Sequence, residues 1–216
     1  LAAIFAAFRW SKRKRYKKAI SSGIMTKPAA KGFTMMNKRM TEDEVKKLYL
    51  QCQTPTHVIA HCRAVADVAV RIGAALNQKG CRFDLALLKG AGLVHDVART
   101  QEDHGGVAAD ILQKLGYRDE ADIIRHHMYY TLVSHMDELT ECDLVCLADR
   151  LVIEDRYVGL DKRFDYILHK NENHALATET ILKAKKQTRG LLDEMEAVLG
   201  CAIDSLFLAE TETTER

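Results

Sequence analysis

The regular spacing of apolar residues after Pro55 is the strongest constraint on the fold of this chain. Between residues 54 and 80, apolar side chains recur every three or four positions, which places them on one face of an α-helix. The stripe consists of Val58, Val65, Val68, Ile72 and Leu76. Thr54 and Pro55 predict an N-cap and a first helical residue, and Gly80 predicts the end of the helix. A helix this long and one-sided predicts a helical core for it to pack against.

The rest of the chain has similar amphipathic segments. Further N-caps are predicted at Thr41, Asp84, Asp103 and Thr140. The segments that follow are expected to run from Asp84 to His95, from Asp103 to Gly116, from Asp119 to His127 and from Thr140 to just before Gly159. A last amphipathic helix is predicted at about 172–199. With two prolines in 216 residues and no convincing alternating strand, the fold class is predicted to be all-α, a helical bundle.

Charge is distributed unevenly along the chain. Residues 1 to 41 contain eleven Lys or Arg and no Asp or Glu, about +11, so the remainder carries about −9 of the net +2. We predict a basic, disordered extension at 1–40 and one helical domain at 41–216. The extension is also compatible with a transit peptide or with binding to anionic lipid or nucleic acid, although nucleic acid is not an expected partner. Its apolar start is too short to span a bilayer, so no membrane span is expected.

Cysteine usage predicts the compartment. The six cysteines form no CxxC pair and are expected to be reduced thiols, as in a cytoplasmic protein.

Three predicted helices place histidine or aspartate on their apolar faces. His61 lies within the stripe after Pro55, His95 and Asp96 end the next apolar run in the segment HDVAR, and Asp149 lies on a third stripe. Each alone is more typical of a hydrogen-bonded core residue or an ion pair. Together they can meet in one core, where a cation would compensate the carboxylates. Imidazole and carboxylate ligands without thiolate suit divalent Fe, Mn, Co, Ni or Zn.

The order His61, then His95-Asp96, then Asp149 resembles the H…HD…D signature of the HD-domain metal-dependent phosphohydrolase superfamily. The resemblance covers roughly residues 54–165 and includes the segments HCRAVADVAVRIGAAL, LLKGAGLVHDVAR and LVCLADRLVIEDR. It is strongest to the small HD domains associated with molybdenum-cofactor cytidylyltransferase-like proteins and to symmetrical diadenosine tetraphosphate hydrolases. The resemblance implies an HD-domain helical bundle with a metal site between helices.

Some members of that superfamily bind two metal ions through further histidines. The resemblance implies that His104, in DHGGVAADIL, and His127, in IIRHHM, are such ligands, with the adjacent His126 as a substitute. It also implies that Asp96 bridges the two ions and is the catalytic residue that orients or deprotonates a water molecule. The sequence leaves open whether one or two ions bind. Substrate phosphate is expected to contact Arg99, Arg150 and Arg156, which are equally compatible with surface ion pairs.

The function implied by the resemblance is hydrolysis of a phosphoester or phosphoanhydride in a nucleotide or another small phosphorylated metabolite. A metal-activated water would be the nucleophile. Two alternatives remain open: a catalytically silent regulatory domain that binds metal and nucleotide, with a nucleotidyltransferase as partner, and a di-iron oxygenase of the HD fold. The oligomeric state, the substrate and the native metal are not specified by the sequence.

Overall fold

A computed structural model describes residues 38–207 except residue 173, and of Tyr129 it describes only the backbone. The described part contains eight α-helices and one two-stranded hairpin. The helices are α1 Glu42–Gln51, α2 Thr56–Gln78, α3 Leu85–Val94, α4 His104–Leu115, α5 Arg118–His126, α6 Glu141–Asp149, α7 Gly159–Lys170 and α8 Ala175–Leu199. The strands are β1 Val152–Ile153 and β2 Arg156–Tyr157, which pair antiparallel. Short 3-10 helices span His127–Tyr129, Met136–Glu138 and Ile203–Leu206. The all-α prediction is confirmed.

Side-chain caps begin four of the eight described helices, at residues where the sequence predicts them. Thr41 and Glu44 form a capping box at α1, and Thr140 and Asp143 form another at α6. The carboxylates of Asp84 and Asp103 accept backbone N–H groups at α3 and α4. Each cap satisfies backbone N–H donors that the first turn of a helix leaves unpaired, so these helices begin at defined residues.

Thr54 is an exception, because its side chain does not cap α2. The helix begins at Thr56, and the residue before it, Pro55, makes no side-chain hydrogen bond. The buried Thr54 hydroxyl donates instead to the carbonyl oxygen of Val97, at 2.6 Å. This bond ties the start of α2 to the segment directly after His95-Asp96.

The predicted extension of α6 to just before Gly159 is wrong. The helix ends at Asp149, and residues 152–157 form the hairpin instead. Glu154 lies in the hairpin turn with φ 54°, a left-handed conformation that an α-helix cannot contain. Apolar residues continue at 151 and 152, so their spacing did not mark the end of the helix. The sequence also predicts no separate helix between residues 159 and 171, where the structure has α7.

The long helix α2 is the centre of the domain. It packs against α3, α6 and α8, and α4 packs against α5. Apolar residues of α2, α3, α6, α7 and α8 form one buried cluster. A second cluster joins α1, α4 and α5 to the segment Val94–Ala98. The segment that carries His95 and Asp96 is therefore held between helices on several sides.

The end of the predicted extension contacts this body. Arg39 forms ion pairs with Asp84 and Asp119, each at 2.8 Å, and Met40 packs against the second apolar cluster. The division at residue 40 stays a prediction, because residues 1–37 lie outside the described part of the chain.

Gly92 allows the closest approach between α2 and α3. A Cβ atom at Gly92 would lie 2.6 Å from the Cα atom of Ala66. We expect Gly92→Ala to lower the free energy of unfolding by about 1–3 kcal/mol, because backbone atoms must move apart. Gly190→Ala is the matched control: nothing lies within 4 Å of its Cβ position, so it should be neutral or stabilising by up to about 1 kcal/mol. Chemical denaturation measures both, and equal effects would contradict this close contact.

Glu120 introduces a pH-dependent cost into the fold. Its side chain is fully buried, and within the described part of the chain neither carboxylate oxygen has a hydrogen-bond partner. Burial raises the pKa of Glu120 above 4.5, although the charge of Arg39 opposes the shift. The unfolded chain therefore releases this proton at lower pH than the folded protein does, and Glu120 destabilises the fold increasingly as pH rises above 4.5.

We expect Glu120→Gln to raise the free energy of unfolding at neutral pH by about 1 kcal/mol. Denaturation curves at several pH values should show that the gain shrinks as the pH falls toward 4.5. The exposed Glu102→Gln provides a control of equal charge change. A Glu120→Gln protein that is less stable than the wild type at neutral pH would show that the carboxylate is stabilising.

Candidate metal centre

Three helices and two segments that directly follow helices bring six predicted site residues together. They are His61 of α2, His95 and Asp96 after α3, His104 at the start of α4, His127 after α5 and Asp149 at the end of α6. The imidazole centroids are 5.2 Å apart for His61 and His95, 5.5 Å for His95 and His127, and 5.3 Å for His127 and His104. The rings therefore form a continuous arc, with Asp149 beside His61 at one end. We refer to these six residues as the His/Asp centre.

Asp96 is the shared member of the centre. Its Oδ1 atom lies 3.1 Å from Nε2 of His104 and 3.4 Å from Nε2 of His127, and its Oδ2 atom lies 3.8 Å from Nε2 of His95. The centre contains two groups of three potential ligand atoms, and within each group all three atoms lie within 4.8 Å of one another. The first contains His61, His95 and Asp96, and the second contains Asp96, His104 and His127.

Backbone carbonyl groups orient three of the rings. The Nδ1 atoms of His61, His95 and His127 each lie within hydrogen-bond distance of a carbonyl oxygen. The partners are Glu154 at 2.7 Å, Gly92 at 2.8 Å and Ile124 at 2.7 Å, respectively. Because a carbonyl oxygen only accepts, each Nδ1 carries a proton, and Nε2 is the atom directed to the centre.

The Nε2 atoms of His61, His95 and His127 have no hydrogen-bond donor to pair with among the described residues. Those of His95 and His127 are buried and have no hydrogen-bond partner in the described residues. Nε2 of His61 lies 3.1 Å from Oδ1 of Asp149. In the neutral imidazole this nitrogen is an acceptor, so it faces carboxylate oxygens that are acceptors too. A proton or a cation must separate such atoms, and this donor set therefore fits a divalent metal ion.

The pKa shifts agree with this need for positive charge. Burial lowers the pKa of His95. Burial also lowers the pKa of His61 and His127, but the carboxylates of Asp149 beside His61 and of Asp96 beside His127 outweigh it, so both pKa values are raised. Burial opposes ionisation of Asp149, but the interaction with His61 lowers its pKa to about 2. Burial also opposes ionisation of Asp96, but the interaction with His127 lowers its pKa. Both carboxylates are therefore ionised at neutral pH.

Comparison with known protein families matches residues 58–153 to the HD domain. This stretch of the chain is an HD domain. The predicted resemblance is thereby confirmed at the level of the family. The HD domain is characteristic of a superfamily of metal-dependent phosphohydrolases, and all six residues of the His/Asp centre lie within the matched stretch.

A relative of the chain is an uncharacterized protein of Methanocaldococcus jannaschii. It is 28% identical over 134 residues, which cover 53% of this chain and 79% of the relative. No solved structure matches the chain. In the described residues, no helix has both the length and the apolar character needed to cross a membrane.

Arg99 is the candidate phosphate-binding arginine that the HD domain brings to the centre. Its Nη1 atom lies 3.2 Å from Nε2 of His104 and 3.5 Å from Oδ1 of Asp96. The side chain is 47% exposed. Arg99 thus lies at the His104 end of the arc, where its guanidinium is accessible to an incoming anion.

The other two candidate arginines make different contacts. Arg150 is half-buried and donates to the carbonyl oxygen of Tyr130 at 2.7 Å and to the Thr188 hydroxyl at 3.5 Å. Arg156 is exposed on β2, 3.7 Å from the carboxylate of Asp155. The structure does not bring either guanidinium into contact with the His/Asp centre, so their predicted role has no geometric support.

The adjacent histidines differ in burial. His127 retains 5% of its side-chain exposure, whereas His126 is exposed. His57, one turn before His61, is also exposed.

The carbonyl group of Glu154 was not foreseen. It orients His61 from a position 93 residues further along the chain. A backbone acceptor carries no signal in residue type, so only the hairpin geometry reveals it.

Proposed function

We propose that this HD domain is a metal-dependent phosphohydrolase of a nucleotide or another small phosphorylated metabolite. The observation that carries the proposal is the position of Asp96 in both groups of potential ligands. One ion would be held by His61, His95, Asp96 and Asp149, and a second by Asp96, His104 and His127. Nitrogen and oxygen donors without thiolate favour Fe, Mn, Co, Ni or Zn.

When bound, divalent ions supply Lewis acidity toward a phosphoryl oxygen and a water molecule of lowered pKa. Asp96 then accepts a hydrogen bond from the attacking water and orients it toward phosphorus. The water oxygen forms a bond to phosphorus as the bond from phosphorus to the leaving oxygen breaks. One water proton is released to solvent, and the leaving oxygen takes up a proton according to its own pKa.

Arg99 has a separate task in this scheme. Its guanidinium can donate two parallel hydrogen bonds to phosphoryl oxygens, which positions the substrate and offsets negative charge in the transition state. Because Arg99 contacts His104 and Asp96 directly, a phosphoryl group bound to it would lie at the centre.

The test is phosphate release from a panel of nucleoside mono-, di- and triphosphates and sugar phosphates. Protein is assayed as purified, after removal of metal by chelation, and after metal is restored. We expect turnover of at least one substrate, lost on chelation and regained with metal. Metal-loaded protein that binds nucleotide without releasing phosphate would favour the regulatory alternative, and oxygen consumption would favour the oxygenase.

A further inference from the structure

The backbone that carries His95 and Asp96 lies in turns rather than in a helix. Helix α3 ends at Val94, and residues 95–100 form turns. The last carbonyl groups of a helix have no partners within the helix, and buried carbonyl oxygens need donors from elsewhere. The positions of the two ligands therefore depend on which donors bind the carbonyl groups around them.

Some of these carbonyl groups are bound by donors from the same segment. The N–H group of Val97 donates to the carbonyl oxygen of Val94 at 3.1 Å. The carbonyl oxygen of Gly92 is the partner of Nδ1 of His95, at 2.8 Å. Each bond joins residues three positions apart. Such bonds define the shape of the turns, but they do not fix the segment relative to the rest of the domain.

Two buried hydroxyl groups from outside the segment bind carbonyl groups on either side of the two ligands. The Tyr49 hydroxyl, on α1, donates to the carbonyl oxygen of Leu93. The Thr54 hydroxyl, between α1 and α2, donates to the carbonyl oxygen of Val97 at 2.6 Å. Tyr49 and Thr54 retain only 6% and 9% of their exposure. Little water therefore competes for these carbonyl groups, and loss of either hydroxyl would leave a buried acceptor unpaired.

Apolar contacts support the two hydrogen bonds. Val94 and Val97 are buried in one cluster with Leu48 and Tyr49 of α1. Both Tyr49 and Thr54 precede residue 58, where the match to the HD domain begins. The two hydroxyl groups thus belong to a part of the chain that lies outside the matched stretch.

We propose that Tyr49 and Thr54 are positioning residues for the His/Asp centre, which fix the backbone on both sides of His95 and Asp96. They act through carbonyl groups and supply no ligand atom themselves. Because Asp96 belongs to both groups of potential ligand atoms, a shift of its backbone changes the geometry around every ion in the centre. Ligands must be held within about 0.5 Å of the productive geometry. This inference rests on the proposed function, since it requires that the centre binds metal.

Cobalt binding tests the role of Thr54. Full-length proteins, freed of metal by chelation, are titrated with Co²⁺ while the visible absorption spectrum is recorded. We expect Thr54→Val to weaken Co²⁺ binding about 10-fold or more and to shift the absorption band, because it keeps the side-chain shape but removes the donor. Thr54→Ser keeps the hydroxyl group and should restore the affinity to within about threefold of the wild type.

Tyr49→Phe tests the second hydroxyl group. It keeps the ring within the apolar cluster and removes only the donor to Leu93. We expect Co²⁺ binding about 10-fold weaker than in the wild type. The double variant with Thr54→Val should bind Co²⁺ more weakly than either single variant, because the segment then loses both external hydrogen bonds.

Thr188→Val is the matched control for a merely structural loss. Thr188 is fully buried on α8, and its hydroxyl group donates to the carbonyl oxygen of Ala184 at 2.8 Å, within the same helix. Its longer contact with Arg150, at 3.5 Å, is secondary to the bond of that guanidinium with the Tyr130 carbonyl, at 2.7 Å. Thr54→Val and Thr188→Val should each lower the melting temperature of the metal-free protein by about 2–6 °C. Only Thr54→Val should change Co²⁺ binding.

Unchanged Co²⁺ affinity and spectrum in Thr54→Val and Tyr49→Phe would overturn the inference. Equal losses of affinity in Thr54→Val and Thr188→Val would overturn it too, because the effect would then follow stability alone. Wild-type protein that binds no Co²⁺ would also overturn it.

Turnover separates this inference from the proposed hydrolase function. At saturating metal, we expect Thr54→Val to lower kcat about 10-fold and to change KM less than about threefold, because it displaces Asp96 rather than Arg99. Absence of turnover in every protein, together with weakened Co²⁺ binding in Thr54→Val, would refute only the hydrolase function. Wild-type turnover with unchanged Co²⁺ binding in the variants would refute only the positioning role.

Discussion

Replacing Asp96 with alanine is expected to remove most of the bound metal and to lower kcat/KM by roughly 10³-fold or more. Asp96 is the residue common to both groups of potential ligand atoms. Its two oxygens face three different imidazoles, those of His95, His104 and His127. Loss of this carboxylate therefore affects every ion that the centre can hold, and also removes the group that would orient the water.

Elemental analysis of metal per chain and single-substrate kinetics measure the two effects. Asp96→Asn preserves the shape of the side chain and so separates lost charge from lost packing. Asp122→Ala on the surface of α5 is a control with the same change in net charge. Folded Asp96→Ala protein that keeps wild-type metal content and turnover would exclude the His/Asp centre as the metal site.

His127→Ala is expected to lower the metal content toward one ion per chain and to reduce activity roughly 10²-fold. The Nδ1 atom of His127 is held by the carbonyl of Ile124, and its Nε2 atom lies 3.4 Å from Oδ1 of Asp96. The adjacent His126 is exposed. His126→Ala changes the same residue type one position away and should leave metal content nearly unchanged.

His104→Ala should behave like His127→Ala if both residues hold the second ion. If the centre binds one ion only, both variants would keep their metal, and any loss would appear mainly in KM. An essential His126 beside a dispensable His127 would reverse the assignment.

The local features of the fold could be predicted because they depend on neighbouring residues. Helical apolar spacing identified α2, and short-range caps such as Thr41 with Glu44 identified where helices begin. The same spacing failed at the end of α6, because Leu151 and Val152 continue the apolar pattern into a hairpin. The left-handed backbone conformation of Glu154 cannot be read from the spacing of apolar residues. The sequence therefore did not predict the hairpin or the separate helix α7.

The sequence by itself determined that His61, His95, Asp96 and Asp149 belong to a family signature, because their order and their inward positions are properties of the linear chain. Their assembly into one cluster depends on contacts between residues far apart in sequence. Asp149 reaches His61 across 88 residues, and the Glu154 carbonyl orients the same ring across 93.

Tertiary structure also decided among similar arginines. Arg99, Arg150 and Arg156 all follow motif residues, yet of these three only Arg99 contacts the centre. Residue type supplies the guanidinium in each case. Arg150 is instead held by the Tyr130 carbonyl and the Thr188 hydroxyl. Which guanidinium is paired within the protein and which remains available to an anion is therefore decided by packing, a property of the folded chain.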